Sequence, residues 1–165
     1  MIRRMSDQGF VATMKLVPFL IVMLLSVVHG PVSLSAQELT PVGVWLHDNE
    51  RIRVKVAPCD EQRDEPLCGK IVWLKNPEDE EGKPRLDTEN PDQAQRDQLV
   101  IGTTVIHGLV RSGPRVWTDG TIYNPDDGET YRARVTVVDP NTLHVRIYVM
   151  LPLFGETKVW TRVED

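Results

Sequence analysis

"TIYNPDDGETYRARVTVVDPNTLHVRIYVM", Thr121 to Met150, decides the fold. Its middle run alternates Tyr131, Ala133, Val135 and Val137 with Arg132 and Arg134, and its last run alternates Leu143, Val145, Ile147 and Val149 with His144 and Arg146. A period of two predicts two half-buried strands, the apolar set facing inward and the arginines outward. "NPDDG", Asn124 to Gly128, separates the first two runs. Pro125 presets φ at a turn corner, Asp126 and Asp127 accept local backbone hydrogen bonds, and Gly128 supplies positive φ. Each residue has a turn role, so no ion is required. A calcium loop needs six to eight oxygen ligands from acids that usually alternate over a longer stretch. "DPN", Asp139 to Asn141, makes the next hairpin by similar chemistry.

The same pattern extends outward in both directions. "VGVWL" from Val42, "RIRVKVA" from Arg51, "GKIVWLK" from Gly69, "LVIGTTVIHGLV" from Leu99, "RVW" from Arg115 and "TKVWTRV" from Thr157 bring the total to about nine short strands joined mostly by tight turns. No long segment after residue 37 has helical periodicity. The expected class is all-β, a closed antiparallel meander barrel of about eight or nine strands, with a sandwich as the alternative. The exception is the polar excursion "NPEDEEGKPRLDTENPDQAQRDQ", Asn76 to Gln98. Loops of this length in small domains are usually functional or mobile. Within it Asn90 and Pro91 are placed to cap and open a short helix, and the acidic run Glu78 to Glu81 reads as a solvated loop because its acids are adjacent.

The N-terminus reads as an address. Arg3, Arg4 and Lys15 precede "LVPFLIVMLLSVV", Leu16 to Val28, an apolar run shorter than the roughly 20 residues a membrane span needs and matching a signal-peptide core. The small residues of "SLSAQ" offer cleavage after Ser35 or Ala36. The expected organisation is a leader over residues 1–36 and one domain over 37–165, without a transmembrane segment in the mature chain and located in the periplasm or secreted. The full chain has 19 basic and 24 acidic residues. Loss of Arg3, Arg4, Lys15 and Asp7 with the leader leaves a net charge of −7, which argues against nucleic acid and anionic lipid as partners. Cys59 and Cys68, alone and close together in an exported chain, are expected to form a disulfide.

Reactive groups are sparse. His47, His107 and His144 lie on different expected strands or strand ends without a sequence-local partner. Ser112 is the one serine after the leader, and no G-x-S-x-G, H-E-x-x-H, phosphate-binding or dinucleotide motif occurs. No catalytic residue, metal ligand set or cofactor is therefore expected. A binding barrel asks only for inward apolar and aromatic side chains with a few polar groups at its mouth. The candidates for that lining are Trp73, Trp117, Tyr123, Tyr131, Tyr148 and Phe154. An alternative gathers Arg132, Arg134 and Arg146 into a clamp for an anionic ligand. "MLPLFGE", Met150 to Glu156, is apolar where a turn is normally polar, as a ligand entrance or a partner surface would be.

"GVW" at Gly43, Cys59, "CGKIVWLK" from Cys68, "NP" at Asn90 with Arg96 behind it, "GTIYNPDDGETY", "LHVRIY" and "LFGETKVWTR" together resemble the DUF2147 family of exported bacterial proteins, over about Val42 to Val163. The resemblance implies a lipocalin-type or calycin-type barrel in the bacterial envelope and carries no catalytic residues. Calycins also open on G-x-W and set an arginine of the last strand across that tryptophan. Trp45 and Arg162 hold those positions here, which implies a structural role in closing one barrel end. The functional expectation is a carrier of a small, largely apolar ligand. Its alternatives are a filled barrel that binds an envelope protein and an enzyme acting on a small anionic substrate.

Overall fold

The computed structural model describes residues 39–164. The leader expected over residues 1–36 lies outside the described residues. Eight strands follow one another: β1 (Gly43–Leu46), β2 (Ile52–Pro58), β3 (Leu67–Leu74), β4 (Thr104–Gly113), β5 (Val116–Asn124), β6 (Glu129–Asp139), β7 (Thr142–Tyr148) and β8 (Glu156–Val163). Each pairs antiparallel with the next, and β8 returns to β1 through Trp45 opposite Arg162, closing a barrel with no free edge. Ala36–Asp165 is a compact unit of its own.

Alternation sets the interior as expected over most of β6 and β7. Ala133, Val135, Val137, Leu143 and Val145 are buried, while Arg132, Arg134 and His144 are exposed. Val149 departs from that reading. β7 ends at Tyr148, and Val149 lies beyond it, 73% exposed. The expected strands "RVW" and "TIYN" are one strand, β5, in which Asp119 takes positive φ (63°) and the register shifts between Trp117 and Gly120. A bulge bends the strand without ending it. β4 starts at Thr104; Leu99 to Thr103 forms a turn in which the Thr103 hydroxyl donates to the Leu99 carbonyl (3.0 Å).

The expected helix at Asn90 is a single 3-10 turn, Gln93–Gln95, capped by Asp92 rather than Asn90. Asn90 instead accepts from the Asp92 N–H and donates to the Asp87 carboxylate. "NPDDG" forms the turn read from its residues: Gly128 N–H donates to the Asn124 carbonyl (2.8 Å) with Gly128 at φ 73°. The acidic run closes on itself, Asp79 Oδ1 accepting from the N–H groups of Glu81 and Lys83.

The up-and-down order sorts the connections by end. Residues 59–66, 114–115 and 140–141 lie at one end with the entering segment 39–42; residues 47–51, 75–103, 125–128 and 149–155 lie at the other. The first end is plugged. The Arg162 guanidinium sits 4.2 Å from the centre of the Trp45 ring and donates to the carbonyls of Pro140, Val42 and Thr40, and the Trp45 indole donates to the Pro41 carbonyl (2.7 Å). A Cβ on Gly43, which also holds φ 138°, would strike Arg162 Nη1 at 2.1 Å, so the glycine of G-x-W is the space the arginine occupies. Beside it the Trp117 indole donates to Glu65 (3.0 Å) in the loop closed by the Cys59–Cys68 disulfide.

Candidate functional site

Interior packing loosens from the plugged end to the other. Val137, Val135 and Ala133 on β6 are fully buried, but Tyr131, the next inward residue, is only partly so. Ile147 follows Leu143 and Val145 in the same way on β7. The lower barrel is full: a Cβ on Gly120 would meet Leu109 at 2.7 Å, and one on Gly69 would meet Ile106 and Val54 at 2.9 Å. Above these layers the side chains no longer meet across the axis. They leave a cavity of about 250 Å³ whose wall is Ile52, Val54, Ile71, Val105, Ile122, Val145, Ile147 and Trp160, with Tyr123 and Tyr131.

Most polar side chains of the lining come from the mouth: His47 and Asn49 from the β1–β2 connection, Asn124 at the end of β5, Asp126 from the β5–β6 turn, and Lys158 from β8. The "NPDDG" stretch is thus a turn and also one lip of the mouth. Arg85 of the long excursion reaches Asp126 (3.4 Å) across it. His47 stacks at a tilt on Trp160, ring centres 5.4 Å apart, and its Nδ1 lies 2.7 Å from Asp48. Burial holds its pKa below the ordinary histidine value, against the opposing pull of Asp48. Lys158 is raised by its hydrogen bond to Glu156 (2.6 Å). Tyr131 donates to Asp127 (3.0 Å), and that bond, which favours the neutral phenol, raises its pKa. The indole N–H of Trp160, a residue 3% exposed, finds no acceptor among the described residues.

Asp87 stands out within the long excursion because it is 1% exposed. Its carboxylate accepts from the Tyr123 hydroxyl (2.6 Å) and from Asn90 Nδ2 (2.7 Å), and its N–H donates to the Gln98 carbonyl. These bonds fasten the excursion to β5 beside the cavity. Burial first, then Asp87, pushes the Tyr123 hydroxyl pKa well above its ordinary value. Nothing in the sequence marks Asp87 among so many loop acids.

Of the aromatic candidates, Tyr123 and Tyr131 line the cavity. Trp117 is buried at the plugged end, Trp73 faces outward under Arg53 (4.6 Å to the ring centre), and Tyr148 and Phe154 flank a groove outside the β7–β8 connection. The three arginines of the clamp alternative share the outer face of β6 and β7, Arg134 directly opposite Arg146; Arg132 and Arg134 are exposed, and Arg146 donates to Thr157 Oγ1 and to the carbonyls of Pro152 and Leu153. Trp160, Ile122 and His47 complete the cavity and rim but were not among the expected residues; for Trp160 and Ile122 the signal was strand alternation in β8 and β5. Among the described residues no group of three or more His, Cys, Asp or Glu side chains is placed to hold a metal, and no helix is long and apolar enough to cross a membrane.

A closed eight-stranded antiparallel meander, plugged at one end by an arginine on a tryptophan and hollow toward the other, defines a lipocalin-like barrel. The chain belongs to the DUF2147 family, described as "Uncharacterized protein conserved in bacteria", whose pattern it matches over residues 43–162. Among solved structures it is similar to protein HP1028 from the human pathogen Helicobacter pylori, described as belonging to the lipocalin family. The TM-score is 0.63 at 21% identity, over 77% of this chain and 85% of that one. Comparison with curated proteins gives no match.

Proposed function

We propose that this protein is an exported carrier that holds a small, largely apolar molecule in the upper half of its barrel. The observation that carries the reading is the cavity of about 250 Å³, walled by aliphatic and aromatic side chains and rimmed by polar ones. A dry apolar cavity of about 150 Å³ takes up benzene, and ligand sites commonly begin near 300 Å³. The ligand is therefore a compact ring system or short chain, not a long lipid. The lipocalin-like barrel supports this reading through its form.

Export is part of the proposal, supported by the disulfide and the leader pattern. Cleavage after Ser35 or Ala36 would free a chain beginning near Gln37. N-terminal sequencing of protein from the periplasmic fraction checks this, and a retained Met1 would contradict it. The carrier reading is tested by titrating tryptophan fluorescence with small apolar compounds. Saturable change in the native protein, lost in Ile147→Phe with the melting temperature retained, is the expected result. No response to any compound, or an unchanged response in the filled variant, would count against it.

A further inference from the structure

The excursion between β3 and β4 carries eight acids against three bases from Asn76 to Gln98, yet the charged side chain it contributes to the barrel mouth is Arg85. A second arginine, Arg51 of the β1–β2 connection, comes to the same place. The two line a small chamber of about 90 Å³ beside the apolar cavity. The chamber shares Ile52 and Ile71 with the cavity wall, and His47, Asn49, Asn124 and Asp126 with its rim. The space is therefore apolar in its depth and basic at its head.

Both arginines are fixed through their backbones and open at their side chains. The Arg51 N–H donates to Asn49 Oδ1 (2.9 Å), and its carbonyl accepts from the Lys75 N–H (2.8 Å). The Arg85 N–H donates to the Pro77 carbonyl (2.9 Å), and its carbonyl accepts from the N–H of the core residue Val100 (3.0 Å). The Arg51 guanidinium meets no acceptor among the described residues. That of Arg85 meets Asp126 Oδ1 at 3.4 Å, a long contact that leaves its other N–H donors free. The charges of the lining have a definite sign. Lys158 is matched by Glu156 (2.6 Å), and burial keeps His47 mostly neutral at neutral pH. What remains is Arg51 and Arg85 against Asp126, one positive charge in excess at the head of an apolar cavity. Asn49 and Asn76 add amide groups beside it.

We propose that the molecule held in this barrel is a small amphipathic monocarboxylic acid, its apolar body in the cavity and its carboxylate at the mouth between Arg51 and Arg85. This rests on the carrier reading and adds the class of ligand to it. A single anion matches the single excess charge, and the planar guanidinium fork suits a carboxylate. Apart from Asp87, the acids of the excursion are exposed, where salt screens their repulsion of an approaching anion.

Isothermal titration calorimetry at pH 7 tests this on the purified protein, freed of bound molecules by dialysis. The probes are hexanoate and 3-phenylpropanoate, each beside its primary amide, which has the same shape without the charge. Each acid should bind at least about fivefold more tightly than its amide, the scale of two partly exposed charge contacts. The double variant Arg51→Gln, Arg85→Gln should bring that ratio below about twofold with the melting curve retained, and each single variant should fall between. The control Arg132→Gln, Arg134→Gln removes the same charge from the outer face of β6 and should keep the wild-type ratio. Equal binding of acids and amides, tighter binding of the amides, or a preference that survives loss of Arg51 and Arg85 would each overturn the proposal and leave the carrier reading standing. Binding of neutral apolar compounds alone would do the same. Silence with acids, amides and neutral compounds alike would overturn both.

Discussion

Arg162 carries more of the plugged end than any other side chain. One guanidinium lies on Trp45 and serves three carbonyls from two segments, and Gly43 exists to admit it. Replacing it by alanine removes a cation–π contact of about 0.5–2 kcal/mol and leaves carbonyls without donors, so Arg162→Ala should destabilise by about 2–4 kcal/mol in urea unfolding. Arg162→Lys should recover little, because one ammonium cannot span the same three acceptors. This pair was legible only through the resemblance to calycins, whose G-x-W opening and last-strand arginine it repeats. Asp87 was not legible: its burial comes from the fold of a 29-residue connection, which no local pattern encodes. Tyr123→Phe should cost about 1–3 kcal/mol by leaving the Asp87 carboxylate one donor short. The folded-state pKa of Tyr123 lies above its unfolded value near 10. Its contribution is therefore fully present below about pH 10 and lost as pH rises beyond. The stability difference between wild type and Tyr123→Phe, followed by melting from pH 8 to 11, should be constant to about pH 10 and then narrow.

At the scale of elements, alternation identified the runs that became β2, β3, β6, β7 and β8 because each has one face on the core and one in water, the condition under which a period of two appears. It failed where that condition fails. β5 was read as two strands because the bulge at Asp119 interrupts the alternation without interrupting the ladder. Leu99 to Thr103 was read as strand because it is apolar, but it is a turn that buries Val100 in the core and leaves Leu99 and Ile101 exposed. Val149 continued the β7 pattern in sequence but lies beyond the strand, in the connection whose Pro152 and Leu153 carbonyls Arg146 binds. The Cys59–Cys68 bond closes the connection that carries Glu65, the acceptor for Trp117 and, through Oε2, for the Arg111 N–H (2.9 Å). Replacing both cysteines by serine should cost about 2.5–3 kcal/mol by the loop-closure estimate. Wild type in reductant should match the variant if the bond acts only on the unfolded chain. A larger loss in the variant would show that the serines disturb the Glu65 contacts as well.

The whole molecule is a barrel with unlike ends, one packed shut and one hollow. Its strand class could be read from the sequence, since most strands carried the alternating signal, while the choice of barrel over sandwich came from the family resemblance. The cavity could not, because a filled interior and an open one are written with the same valines and isoleucines. What separates them is the summed volume of inward side chains in each layer: Leu109 fills the space over Gly120 in the lower barrel, while Ile122, Ile147 and Tyr131 fail to meet above it. The claim that this hollow holds a ligand is tested most directly by native mass spectrometry of the protein purified gently from its own cells, followed by denaturing extraction. A reproducible small-molecule adduct, released on unfolding and absent from Ile147→Phe, is the expected result. A clean mass of the bare chain, together with tryptophan fluorescence unmoved by small apolar compounds, would contradict it.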